Sequence, residues 1–430
     1  MAKKRIAIVD GVRTPFCRAG GIFNRISADD LGAAVVKELC SRHEGLVDQV
    51  DELIFGNVAQ PANAANVARV IALKGGLSKR VPAYTVHRNC ASGMEAITTA
   101  TSKIRAGEGD VYIVGGAESM SNIPLMFNQK MTDFFIQLMK SKSLMSKLKT
   151  FLSFRPSFLK PVIAVQEGLT DPFCGLNMGM TAEVLSREFH VTREQQDVFS
   201  LESHKRAAQA TAAGLFADEI LPVPVAPAYD FVQSSDDGIR KEQSIEALKK
   251  LKPYFDRITG SVTVGNACGL TDGAGSLLIM SEEKAKELSL NPLGYLKDFA
   301  YAGLDPERMG LGPVYSTAKL LNSLEMSMDD IDLIELNEAF AAQVLANEIA
   351  FDSDDFAKKY LNQEKKVGFL DPDKMNVNGG AIALGHPVGA TGARMVLTLL
   401  KEMQRKNLNT GLATLCIGGG QGAALLLERE

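Results

Sequence analysis

Val50-Asp51-Glu52-Leu53-Ile54-Phe55-Gly56-Asn57 recurs late in the chain, with one residue skipped, as Ile331-Asp332-Leu333-Ile334-Glu335-Leu336-Asn337. Each copy reads as a helix end, a short buried strand and then an asparagine. A second echo pairs Cys90-Ala91-Ser92-Gly93, a helix and Val111-Tyr112-Ile113-Val114-Gly115-Gly116 with Val388-Gly389-Ala390-Thr391-Gly392, a helix and Ala413-Thr414-Leu415-Cys416-Ile417-Gly418-Gly419. Two echoes in one order predict two similarly built halves whose equivalent strand ends meet near one site. Around them, apolar runs at 6–9, 53–55 and 111–114 alternate with amphipathic stretches at 33–39 and 96–104, the pattern of an α/β sheet covered by helices.

The 430 residues suffice for two core-sized units plus an insertion, and a net charge of −4 offers no global basic field for nucleic acid. Six cysteines stand singly, at 17, 40, 90, 174, 268 and 416, with no C-x-x-C pair. That spacing suits a reducing compartment and supplies no zinc framework, so no metal is expected. Lys3-Lys4-Arg5 runs into an apolar stretch too short for a signal peptide, and no run approaches membrane-spanning length. A cytoplasmic location is the expectation.

Residues 121–249 differ in composition and read as an insertion. Within it, 123–165 carries Lys130, Lys140, Lys142, Lys147, Lys149, Arg155 and Lys160 against the single acid Asp133. Met131, Phe134, Phe135, Leu138 and Met139 form a helical stripe that Leu144, Leu148, Phe151 and Leu152 extend. Such a stripe covers the molecule's own core, docks a partner subunit or lies on a membrane surface. Farther on, Thr192-Arg193-Glu194-Gln195 reads as a capping box opening a helix that Gly214 ends, and Leu221-Pro222-Val223-Pro224-Val225 reads as extended edge structure.

Four segments carry chemistry. Cys90 lies between a strand and a helix, where amides and the helix dipole favour a thiolate and can also hold an oxyanion. Ser92 and Glu95 stand at capping-box spacing behind it, and Gly107 marks the helix end. The segment Gly379-Gly380-Ala381-Ile382-Ala383-Leu384-Gly385-His386-Pro387-Val388-Gly389 lets backbone approach a ligand and presents His386 near a helix start, which favours the neutral imidazole a base requires. Cys416-Ile417-Gly418-Gly419-Gly420 places a second thiol at a strand end before amides that could donate to an oxyanion. Asn337-Glu338-Ala339-Phe340 follows a buried strand, where the amide could position a water or serve as a helix N-cap. Taken singly, each cysteine also reads as an inert core thiol.

These four motifs, Asn89-Cys90-Ala91-Ser92-Gly93-Met94, Asn337-Glu338-Ala339-Phe340, Gly385-His386-Pro387-Val388-Gly389-Ala390 and Cys416-Ile417-Gly418-Gly419-Gly420, stand in the order of the thiolase family, which the chain resembles from first strand to last glycine loop. The resemblance implies an α/β thiolase fold: two pseudo-symmetric βαβαβαββ halves, 1–120 plus 250–281 and 282–430, forming a five-layered αβαβα core, with 121–249 as an inserted loop domain that binds coenzyme A. It implies Cys90 as the acyl-carrying nucleophile, His386 as its base and Cys416 as the second acid/base. Asn337 would hold a water in one oxyanion hole, and the Cys90 and Gly418 N–H groups would form the other. Coenzyme A and acyl-CoA are then substrates, with no permanently bound cofactor. Relatives place the nucleotide near Arg240 and the run 263–274. Cys268 stands where many relatives have serine, and Asn177 where short-chain biosynthetic relatives have histidine, with Met178 and Met309 as pocket walls.

The stretch 123–165 is similar to the extra segment of thiolase subunits that dock onto a hydratase–dehydrogenase subunit. The expectation is a degradative 3-ketoacyl-CoA thiolase of fatty-acid β-oxidation, assembled as a homodimer or homotetramer. An acetoacetyl-CoA-specific acetyl-CoA acetyltransferase is the alternative. A ketoacyl synthase would place a histidine or asparagine where this chain has Cys416, and a docking subunit with a vestigial site would not need all four motifs.

Overall fold

The computed structural model describes residues 4–430. Nine long strands carry the architecture: β1 (Ile6–Arg13), β2 (Glu52–Gly56), β3 (Ala83–Val86), β4 (Val111–Ser119), β5 (Thr271–Ser281), β6 (Gly294–Gly303), β7 (Leu333–Leu336), β8 (Thr410–Ile417) and β9 (Gln421–Glu428). They form one hydrogen-bonded path, β7-β8-β9-β6-β1-β5-β4-β2-β3, and the short strand Cys17–Arg18, paired with β5 off that path, makes the sheet ten-stranded. Its two ends are built alike. β2 is parallel to β3 and β4, whereas β5 is antiparallel to β4 and β1; β7 is parallel to β8 and bridges in parallel to Met375, whereas β9 is antiparallel to β8 and β6.

Details repeat as well. Asp51 Oδ2 accepts from the Asp110 and Val111 amides, and Asp332 Oδ2 accepts from those of Asn409 and Thr410. The register of β1 on β5 shifts between Ile8 and Asp10, and that of β6 on β9 between Leu296 and Asp298. The ladders correct the second echo: Val111 corresponds to Thr410, whereas matching the glycine pairs would set it against Thr414, four residues out of step. Cys416 is therefore the counterpart of Ala117 and not of Cys90.

Ten helices of eight residues or more accompany the sheet: α1 (Ala28–Arg42), α2 (Val67–Lys74), α3 (Ser92–Ala106), α4 (Gln129–Lys140), α5 (Leu144–Leu152), α6 (Met178–Glu188), α7 (Arg193–Ala212), α8 (Gly312–Ser323), α9 (Ala341–Phe351) and α10 (Thr391–Lys406). Buried side chains separate the layers. Leu31, Val35 and Ile71 of α1 and α2 pack on one face of the first half, and Leu320, Leu321, Val344 and Phe351 of α8 and α9 on the outer face of the second. Between the halves, Ile97, Ala100 and Ile104 of α3 meet Met395, Leu399 and Met403 of α10. The two helix starts approach closely: a Cβ on Gly93 would lie 2.9 Å from the Ala393 nitrogen, and one on Gly392 2.5 Å from that of Met94. Only glycine permits this contact, which brings the Cys90 turn and the His386 loop together. Inside this layer Arg394 is fully buried and pairs with Glu335 at 2.6 Å. Removing either partner leaves an uncompensated buried charge, so Glu335→Ala is expected to cost about 3–5 kcal/mol, read as a lowered midpoint in denaturant.

The capping box at Thr192 and Gln195 forms, opening α7, and Gly214 follows its end with φ +71°. Val223–Pro224 pairs with Val232–Gln233 in a separate two-stranded sheet. In 123–165 the reading as a cover over the core is corrected. α4 and α5 pack on each other through Phe134, whose ring contacts Phe135, Phe151, Phe154 and Phe158, while Met139 is 86% and Leu144 89% exposed. Periodicity detects an apolar stripe but not what lies against it, and here Met131 and Phe134 are buried while Met139, Leu144, Leu148, Phe151 and Leu152 face outward. Among the described residues no helix is long and apolar enough to cross a membrane.

Candidate active site

After β3 the chain turns through Asn89 at φ +43°, a conformation asparagine tolerates better than most residues. Ser92 Oγ accepts from the Arg88 amide at 2.9 Å and donates to the Asn89 carbonyl at 2.7 Å, closing the turn. The expected capping box is therefore absent. α3 starts with Ala91 as cap, and Glu95 instead accepts from Arg88 Nε at 2.6 Å. Its far end is as expected, with Gly107 at φ +82°. Asn89 Nδ2 donates to the Gly418 carbonyl at 2.7 Å, locking the Cys90 turn onto the end of β8.

Burial pushes the Cys90 thiol up, opposed by the backbone N–H groups of Gly418 and of Cys90 itself. The helix-start environment thus fails to depress this thiol as the sequence suggests, because desolvation of the half-buried residue's thiolate outweighs the nearby amides. The same two amides converge on the sulfur and can donate to an oxygen bonded beside it.

His386 lies where the chain 266–270 returns. That segment bridges Phe340 through Ala267 and His386 through Leu270, and the Cys268 amide donates to the Ala339 carbonyl at 3.0 Å. His386 is 6% exposed, and burial, with Arg394 as a smaller cause, lowers its pKa to about 4. The imidazole is neutral as expected, but through desolvation and not through a helix dipole. Nδ1 is 2.6 Å from Thr391 Oγ1, whose hydroxyl lies 3.1 Å from the Pro387 carbonyl. A hydroxyl donating to that carbonyl must accept from Nδ1–H, which leaves Nε2 as the basic nitrogen. Among the described residues Nε2 has no hydrogen-bond partner, and neither polar atom of the buried Asn337 side chain has one. Asn337 is not the helix cap, since Phe340 precedes α9.

Cys416 is buried at the end of β8, and its thiol is held well above the usual range by burial and by the neighbouring Cys90 and Cys268 thiols. Burial and the Cys90 charge likewise push Cys268 up to about 12. Gly419 and Gly420, at φ +88° and +75°, turn the chain into β9. A Cβ on Gly418 would lie 3.1 Å from Met178 Sδ. Met178, Met309, Cys268, Phe340 and Cys416 share one apolar cluster, so the expected pocket walls do meet at the second thiol.

Two further expected contacts have partners of their own. The Asn177 side chain is used as the cap of α6, accepting from the Met180 amide at 3.0 Å. Arg240 is exposed, on a loop laid against the turn 381–384, and its amide donates to His204 Nδ1. Sequence reasoning missed two buried carboxylates. Glu338 accepts from Ser203 Oγ, Asn376 Nδ2 and the Ile382 amide, joining α7 to the glycine loop before His386. Glu118 accepts from Asn57, Val58, Ala59 and Gly389. An acid inside an otherwise apolar strand run is the signal that points to such a residue.

A fold of two fused, similarly built halves that brings the Cys90 turn against the end of β8 and the start of α10 defines a class, and the comparisons agree on it. The thiolase N-terminal domain matches residues 6–283 and the thiolase C-terminal domain residues 290–429. The chain belongs to the thiolase family. It is 41% identical over 427 residues to a 3-ketoacyl-CoA thiolase of Yersinia enterocolitica and 43% identical over 428 residues to one of Serratia proteamaculans, covering 99% of this chain and 97% of each relative. Among solved structures, a Bacillus anthracis acetyl-CoA acetyltransferase superposes with a TM-score of 0.87 at 37% identity, covering 99% of both chains. Human mitochondrial 3-ketoacyl-CoA thiolase in complex with CoA does so at 0.85 and 33%, covering 99% of this chain and 98% of that one.

Proposed function

We propose that the protein cleaves 3-ketoacyl-CoA with coenzyme A, giving acetyl-CoA and a shortened acyl-CoA through an acyl-Cys90 intermediate. The observation that carries this reading is the 2.7 Å bond from Asn89 Nδ2 to the Gly418 carbonyl, which locks the Cys90 turn onto the end of the strand that carries the buried Cys416. Cys90 gives its proton to His386 Nε2 and its sulfur attacks the 3-keto carbon, whose oxygen becomes an oxyanion. The bond from that carbon to C2 then breaks, and the acetyl-CoA enolate takes a proton at C2 from Cys416. Its raised pKa keeps that thiol protonated until an adjacent carbanion calls for it. A new coenzyme A thiol next gives its proton to the Cys416 thiolate and attacks the thioester, releasing acyl-CoA, and Cys90 recovers its proton from His386. Asn337, through a water, and the Cys90 and Gly418 amides supply the two oxyanion sites.

Coenzyme A is a substrate in this scheme and no bound cofactor takes part. The division into 1–120 plus 250–281, 121–249 and 282–430 belongs to the same reading, with Arg240, Cys268, Met178 and Met309 along the path of the acyl-CoA. The relatives named 3-ketoacyl-CoA thiolase favour the degradative reaction of β-oxidation over an acetoacetyl-CoA-specific one. Thiolysis rates across a chain-length series test it: we expect turnover to extend beyond four carbons, and a sharp optimum at four would favour the acetoacetyl-CoA enzyme.

A cytoplasmic homodimer or homotetramer fits six free cysteines and the open edge at β3, whose four residues are only half-buried. The outward apolar face of 123–165, with its lysines, fits a hydratase–dehydrogenase subunit. Deleting 123–165 should abolish co-purification with that subunit while thiolysis persists. Loss of both would return the segment to a structural role, and loss of vesicle binding alone would assign it to a membrane surface.

A further inference from the structure

Glu118, at the end of β4, is fully buried, yet among the described residues it makes no ion pair. Its carboxylate is saturated by neutral donors. Oε1 accepts from Asn57 Nδ2 at 3.1 Å and the Ala59 amide at 2.9 Å; Oε2 accepts from the Val58 amide at 3.1 Å and, across the pseudo-symmetric junction, from the Gly389 amide at 2.8 Å. Gly389 lies three residues beyond His386, between it and Thr391. Its surroundings admit no side chain: a Cβ there would stand 2.9 Å from Glu118 Oε2 and 3.0 Å from both the Gly56 carbonyl oxygen and the Asn57 Cα. A Cβ on Gly116 would come within 1.9 Å of the Gly389 carbonyl oxygen. The loop carrying the base is thus pressed against strand ends of the other half and held there by one carboxylate.

Asn57 adds a second observation. It follows β2, and its Nδ2 is shared between Glu118 and the Ala117 carbonyl, so the residue that opens the 57–59 turn braces the carboxylate from its own half.

We propose that Glu118 is a positioning residue for the reaction, acting through His386 by anchoring Gly389. The proposal rests on the assignment of His386 as the base for Cys90. Glutamine cannot substitute, because four N–H groups converge on two carboxylate oxygens and an amide offers one acceptor oxygen; its NH2 would face two donors. Burial raises the Glu118 pKa to about 7, and its negative charge raises that of Cys90. A purely electrostatic role therefore predicts that removing the charge makes Cys90 more reactive, the opposite of what lost positioning predicts.

Alkylation of Cys90 by iodoacetamide at neutral pH, followed by intact mass, separates these outcomes in a double-mutant cycle. Glu118→Gln should slow alkylation roughly ten- to a hundredfold, the scale of an ångström misplacement of a base. It should bring no further slowing in a His386→Ala background. Equal slowing on both backgrounds, or faster alkylation of the single variant, overturns the proposal. Should Glu118→Gln not fold, Gly389→Ala retains the carboxylate and crowds the same contact, and the same non-additivity with His386→Ala is expected. Wild-type alkylation of His386→Ala itself would refute the base assignment, a different failure.

Discussion

Cys90→Ala is expected to lose thiolysis by a factor on the order of 10⁶ in kcat, as when the nucleophile of a covalent mechanism is deleted. The reason lies in the division of labour. The amides of Cys90 and Gly418, the unpartnered Nε2 of His386 and the Cys416 thiol all act on groups that the Cys90 sulfur brings into covalent reach. Without sulfur, they bind and polarise a substrate that nothing attacks. Intact mass after incubation with 3-ketoacyl-CoA should show an acyl adduct on the wild type and none on the variant. An adduct retained by Cys90→Ala would assign the nucleophile elsewhere. The fold should survive, because the turn is held by Ser92, Asn89 and the Gly93–Gly392 approach and not by the thiol.

Cys416→Ala should lower kcat by about 10²–10⁴-fold, the range for loss of a positioned acid/base. Its signature differs from that of the first variant. The Cys90 turn is untouched, so Cys90 alkylation by iodoacetamide should stay near the wild-type rate. Exchange of the acetyl-CoA α-protons with D2O, which requires a base at that carbon, should be lost. Unchanged exchange in Cys416→Ala would remove Cys416 from the proton path even if turnover fell. Cys268, a third thiol of the same cluster with its own raised pKa, offers the control: Cys268→Ser should leave the exchange intact.

The strongest signals in the sequence were local ones, and the structure keeps most of them. The repeated strand before Asn57 and Asn337, the glycine turn after Cys416 and the capping box at Thr192 depend on neighbours a few residues apart, which a linear reading can see. Where tertiary partners decide, it goes astray. Glu95 stands at capping distance from Ser92 but finds Arg88, which lies over the Tyr301 ring and donates to Gln421. Desolvation, which exists only once the halves close, reverses the expected depression of the Cys90 thiol and supplies the lowered pKa of His386. Glu118 went unread for the same reason, since its donors come from residues 57–59 and from 389.

The first strand carries a consequence for biosynthesis. β1 is hydrogen-bonded to β5 on one side and β6 on the other, beginning with Ile6 against Ser281 and Leu296. No earlier segment takes those places, so the opening strand of a nascent chain must wait for some 270 residues to be added, roughly 15 to 50 s at ribosomal speed. Through that interval its apolar face and the Cys90 thiol lack their final covers, and Gly418, at the end of β8, is made later than β5 and β6. The centre thus assembles only after both halves have been made, which makes the incomplete chain a natural client for chaperones and spares the cell a half-built enzyme with a competent nucleophile.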